Sequence, residues 1–201
     1  GGVAHDVGTF ASILVLFILM FLASILFQSH RQVFYLYGIF LLAFSVLFLF
    51  HVLRLIFGAD FLSFNFFSGA TNSLIGKWND LGIFSGMITI LSMLALEFLQ
   101  LSKKHRFILY AFLLASLFMV AIVNFTISWF ILGTLAVVLV VYNLSLRRSA
   151  ADGADASARK FTFPPLVVLF VSFLFIVSGN SLGGVIADTF NIAQVEVRPS
   201  W

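Results

Sequence analysis

Cysteine is absent from all 201 residues, so the chain has no disulfide framework, no thiolate nucleophile and no thiolate metal site. Charge is almost as scarce. Only 9% of residues are Asp, Glu, Lys or Arg, far below what a soluble domain needs to solvate its surface. Proline occurs three times, as Pro164, Pro165 and Pro199, and four scattered histidines show no ligand spacing such as H-x-x-x-H. No metal or other cofactor is expected. The net charge of +3 does not point to nucleic acid, because the basic residues flank apolar runs instead of forming a patch.

Those apolar runs dominate what is present: 62% of residues are hydrophobic, with 27 phenylalanines. Stretches such as Ser12–Met20 do not alternate apolar and polar positions, which excludes a transmembrane β-barrel. Helices that are apolar all round suit lipid, where the backbone must satisfy its own hydrogen bonds. Six runs, Phe10–Phe27, Val33–Phe57, Leu81–Gln100, Phe107–Val123, Trp129–Leu146 and Phe161–Ser178, are each long enough to cross a core of ~30 Å. The expected fold is therefore all-α, a polytopic transmembrane bundle of about six helices forming one domain over residues 1–201. Because the chain opens Gly1-Gly2-Val3 and stops at Arg198-Pro-Ser-Trp201, it reads as a segment of a longer membrane protein.

Basic residues set the expected orientation. The connections at 28–32, 101–106 and 147–160 hold Arg31, then Lys103, Lys104 and Arg106, then Arg147, Arg148, Arg159 and Lys160. If six helices alternate, these lie on one side, which the positive-inside rule makes cytoplasmic. Residues 147–160, with their Ala-, Ser- and Asp-rich centre, read as a cytoplasmic linker. Both ends of the chain then face outward, as do the connection Gly58–Asp80 and the turn Asn124–Ser128. The phenylalanines Phe61, Phe64, Phe66 and Phe67 of that longer connection suit a re-entrant or interface-lying segment.

Several polar residues stand out against this background. His51 and Arg54 are three apart, hence on one helix face in the outer third of their span, where a guanidinium fork can hold a diphosphate or contact lipid phosphate. Gly76-Lys77-Trp78-Asn79-Asp80 leads into the next span. Asn79 or Asp80 is expected to cap it, and Lys77 beside the free N–H groups would favour an anion. Glu97, one turn from the cytoplasmic end, is expected to reach headgroups or pair with the neighbouring basic cluster. Asn124-Phe-Thr fits a glycosylation pattern, but the turn is too short for access and reads as structural. After the sixth run, Gly179–Gly184 breaks the apolar pattern, and Arg198 with Trp201 closes the chain.

The string Asn72-Ser-Leu-Ile-Gly-Lys-Trp-Asn-Asp-Leu-Gly82 resembles a stretch found in the O-antigen ligase/polymerase-like superfamily, through Gly76, Asn79, Asp80, Leu81 and Gly82. Ile127-Ser128-Trp129 occupies the place of that family's Ser-Arg-Gly turn, with the serine present and the arginine missing. Arg198-Pro-Ser-Trp201 resembles its arginine-then-tryptophan element before a large outer loop. The resemblance covers about Asn72 to Trp201. It implies a bacterial inner-membrane glycosyltransferase that moves a glycan from undecaprenyl diphosphate to an acceptor on the outer face, without metal. On that basis Arg198 is expected to contact the diphosphate as the catalytic residue, with Arg54, Lys77, Asn79 and Asp80 binding substrate. The resemblance also puts an essential histidine in the loop after Trp201, so residues 1–201 alone are expected to be inactive. The expected partners are membrane lipid and the lipid-linked oligosaccharide donor, without nucleic acid. The alternative functions are a transporter or flippase module and a non-enzymatic membrane anchor or assembly subunit.

Overall fold

The computed structural model describes residues 30–58, 61–62, 73–151 and 163–190. Regular structure there is helical: α1 His30–Phe57, α2 Trp78–Phe98, α3 Lys103–Val123, α4 Thr126–Ala151 and α5 Pro164–Phe190. Four of these are long and apolar enough to cross a membrane, and the bent α5 makes a fifth if counted as one span. The expected helical membrane bundle is thus present, with four to five candidate spans among the described residues. The first expected span, Phe10–Phe27, lies outside them, as does most of the phenylalanine-rich connection.

By its contacts the chain divides into residues 1–43 and 44–201. Of the first unit the described part is the opening of α1, which exposes Val33, Phe34, Tyr35, Ile39 and Leu42, as a lipid-facing helix does. In the second unit, α1 buries Phe44, Leu47, His51 and Arg54 at alternating steps of three and four, one continuous face. Phe44 packs against Phe84 of α2 and Phe112 of α3, with ring centroids 6.5 and 6.1 Å apart.

Helix α2 is the most enclosed, and small residues explain how its neighbours come so close. A Cβ on Gly82 would lie 2.8 Å from Val123 Cγ1 of α3, so this contact requires glycine. Gly133 of α4 faces Ser172 of α5, where a Cβ would make ordinary contact at 3.4 Å. The pairs α2–α3 and α4–α5 therefore form the two principal packing units of the bundle. Trp129 on α4 stacks on Phe175 of α5 at 4.4 Å and 15°.

Helix ends follow local chemistry. Pro164 and Pro165 open α5, where a missing N–H costs nothing. Ser102 precedes α3, and its Oγ shares a 2.7 Å hydrogen bond with His105 Nδ1. Helix α4 continues to Ala151, into the stretch expected as a linker, and residues 152–162 lie outside the described set. The α3–α4 turn is closed by Asn124 in the left-handed conformation (φ 50°, ψ 42°), its N–H on the Val120 carbonyl at 2.8 Å. Helix α5 bends by 91° between Pro164–Gly179 and Ser181–Phe190, where the glycine-containing break was expected.

Candidate functional site

Antiparallel packing gathers the end of α1, the start of α2, the α3–α4 turn and the bend of α5 at one end of the second unit. The basic residues Lys103, Lys104 and Arg106 lie at the other, exposed.

At the first end, α2 begins with an arrangement that accounts for much of the quoted string. Asp80 sits at the third helical position, and its Oδ2 accepts the Lys77 backbone N–H at 2.8 Å. This is the reciprocal half of a capping box. The other half needs a side-chain acceptor at the preceding position, which lysine does not have. Gly76 makes room for the carboxylate: it has φ +130°, and a Cβ there would stand 2.6 Å from Asp80 Oδ2. Leu81 is fully buried, and Gly82 is the close-approach glycine. Neither Asn79 nor Asp80 is the N-cap, a place that Lys77 holds; Asp80 serves the helix opening from inside the first turn instead. Asn79 is half-buried, and Lys77 is exposed.

His51 and Arg54 are both buried, at 2% and 4% exposure, so neither is spread over the lipid surface. The Arg54 guanidinium lies 5.4 Å over the Phe50 ring. His51 Nδ1–H donates to the Leu47 carbonyl at 2.8 Å, and the His51 ring neighbours Trp78 with centroids 6.1 Å apart. The structure thus brings His51, Arg54 and the start of α2 to one end of the bundle. Arg198 lies outside the described residues.

Three polar features were not anticipated from sequence. Asn124 Nδ2 donates to the Gly179 carbonyl at 2.8 Å, and Trp129 Nε1–H donates to Asn124 Oδ1 at 3.3 Å. A single side chain thereby satisfies a carbonyl at the α5 bend and pins it to the α3–α4 turn. At 4% exposure the amide is also closed off from glycosylation. Thr89 Oγ1 donates to Ser116 Oγ at 2.8 Å, with the Ser85 carbonyl 3.0 Å away as the competing acceptor, and Ser116 Oγ donates to the Leu113 carbonyl at 3.0 Å. Glu97 Oε1 accepts from Asn143 Nδ2 of α4 at 2.5 Å, tying α2 to α4 near the basic end. Ser128, at the start of α4, is buried against Gly86. No group of three or more His, Cys, Asp or Glu residues that could hold a metal ion occurs among the described residues.

Comparison with protein-family models, with curated proteins and with solved structures found no match to this chain.

Proposed function

We propose that this chain is part of an O-antigen ligase-like membrane glycosyltransferase of the bacterial inner membrane, using a glycan donor carried on undecaprenyl diphosphate. The observation that carries the reading is the enclosure of Arg54 at the bundle end where α2 begins. Guanidinium keeps its charge in protein and is expensive to hold in a membrane span, so such residues are retained where an anion or another function needs them. Its five N–H donors in a planar fork match a phosphate oxygen pair.

In the reaction, negative charge develops on the leaving diphosphate as the glycosidic bond to it breaks. Arg198 is assigned to contact that group, and Arg54 and Lys77 add positive potential around it. Asn79 and Asp80 shape the opening of α2, whose free N–H groups and dipole favour an anion at the same end. With the basic loops cytoplasmic, this end faces outward, where lipid-linked glycans are joined.

A transporter or flippase module is the second reading. The 91° bend in α5 favours it, since broken helices line transport sites. No charged residue occurs between Pro164 and Gly184 to meet an ion or charged solute at that bend, which ranks this reading lower. A membrane anchor or assembly subunit, with helices that only pack, is the third.

The test is donor-lipid binding by the full reading frame in nanodiscs, measured by native mass spectrometry with undecaprenyl diphosphate and, as the neutral lipid of the same chain, undecaprenol. Preferential retention of the diphosphate, weakened at least ten-fold by Arg54→Gln and by Arg198→Gln at unchanged insertion, is expected. Equal retention of both lipids would refute the proposal.

A further inference from the structure

Two buried polar atoms at the same end of the bundle as Arg54 are not used by the proposed reaction. His51 donates through Nδ1–H to the Leu47 carbonyl, and a carbonyl can only accept. That bond fixes a proton on Nδ1, and in the neutral ring the lone pair is then on Nε2. Nε2 is buried and has no hydrogen-bond partner among the described residues, and the same is true of Trp78 Nε1–H. The two rings are neighbours, with centroids 6.1 Å apart and planes at 52°. His51 is 2% exposed and Trp78 6%. An acceptor and a donor thus sit on neighbouring rings, each in surroundings where an unmet polar group is costly. By contrast, the indole N–H of Trp129 is met by Asn124.

We propose that His51 and Trp78 form a binding site for a neutral hydroxyl group. The hydroxyl donates to His51 Nε2 and accepts from Trp78 Nε1–H. The pairing itself selects the ligand. An ionised carboxylate or phosphate oxygen has no proton for Nε2 and would face its lone pair. An ammonium group has no lone pair for the indole. A hydroxyl of water or of an alcohol has both, in one small group. Arg54 follows on the same face of α1, so the hydroxyl site adjoins a cation without depending on it. The site stands on its own geometry, and only the choice of a sugar as the natural source of the hydroxyl rests on the glycan-transfer reading.

The experiment is NMR of the full chain in nanodiscs with indole-¹⁵N tryptophan and ring-¹⁵N histidine, signals being assigned by single Trp→Phe and His→Gln variants. The Trp78 indole N–H is expected at a hydrogen-bonded position and moves toward the unbonded one in His51→Phe. The Trp129 signal stays in place, which reports that this end remains folded. Independently, His51 Nε2 in the otherwise unchanged protein is expected to be displaced from the value of a free lone pair and to return in Trp78→Phe. Signals already displaced in buffer and indifferent to added methyl N-acetylglucosaminide identify the hydroxyl as water's. A further saturable change with that glycoside identifies a carbohydrate hydroxyl. A free Nε2 lone pair together with an unbonded Trp78 N–H, both indifferent to the glycoside, would overturn the site. The donor-lipid measurement would be untouched by that result, so the two proposals fail separately.

Discussion

Asn124 offers the sharpest energetic test, because one side chain joins two elements 55 positions apart in sequence. Asn124→Gly removes both side-chain bonds while leaving a residue suited to positive φ. Interhelical hydrogen bonds in membrane proteins average about 0.6 kcal/mol and reach about 1.7, so losing two gives about 1–3 kcal/mol. Asn124→Ala loses the same bonds and adds about 1 kcal/mol for holding a Cβ residue in the left-handed region. Asn124→Asp keeps the acceptor for Trp129 but turns an oxygen toward the Gly179 carbonyl, and it should destabilise at least as much as glycine. The assay is reversible unfolding by sodium dodecyl sulfate in mixed micelles, followed by tryptophan fluorescence, since Trp129 is itself a partner. Wild-type stability in Asn124→Gly would refute the claim that these bonds hold the α5 bend to the α3–α4 turn. Equal stability of the Gly and Ala variants would remove the backbone component.

The close approach of α2 and α3 predicts that Gly82→Ala costs about 1–3 kcal/mol by overpacking, and that adding Val123→Ala regains part of it. Simple additivity of the two losses in the same unfolding assay would contradict the 2.8 Å approach. Glu97→Ala should cost about 0.6–1.7 kcal/mol by stranding the Asn143 amide, whereas Glu97→Gln keeps an acceptor oxygen and should cost less. A Gln variant as unstable as the Ala variant would show that the charge, and not the bond to Asn143, carries the effect. Because the chain lacks cysteine, single introduced thiols report topology directly. Leu74→Cys should react with an impermeant maleimide on intact cells, and Ser102→Cys only after permeabilisation; the reverse pattern would invert the assigned orientation.

Much of the bundle was legible because lipid leaves the chain few options. The runs Val33–Phe57, Leu81–Gln100, Phe107–Val123, Trp129–Leu146 and Phe161–Ser178 each overlap one helix, and the break at Gly179 was visible as an interruption of apolar character. Helix ends were less legible, since hydropathy marks where apolar side chains stop, while backbone bonding continues: Lys103 and Lys104 are helical, and α4 reaches Ala151. The shared face of His51 and Arg54 followed from their spacing, but its burial did not. A helix apolar all round carries no mark of which side meets protein and which meets lipid. The Asn124 turn was readable locally. Its bond to Gly179 was not, because nothing in a short polar turn specifies a distant carbonyl. Glu97 was expected to reach headgroups or pair with the basic residues next in sequence; its bond to Asn143 of α4, which packing supplies, was not legible.

The central claim is glycan transfer, and it is tested most directly with the full reading frame reconstituted in liposomes with an undecaprenyl-diphosphate-linked oligosaccharide and a lipid-anchored saccharide acceptor. The account predicts transfer, inversion at the anomeric carbon, and a fall of at least ten-fold in turnover for Arg198→Ala and for Arg54→Ala at normal insertion and abundance. Undiminished transfer by both variants, or none by the intact protein across several donors, would contradict it.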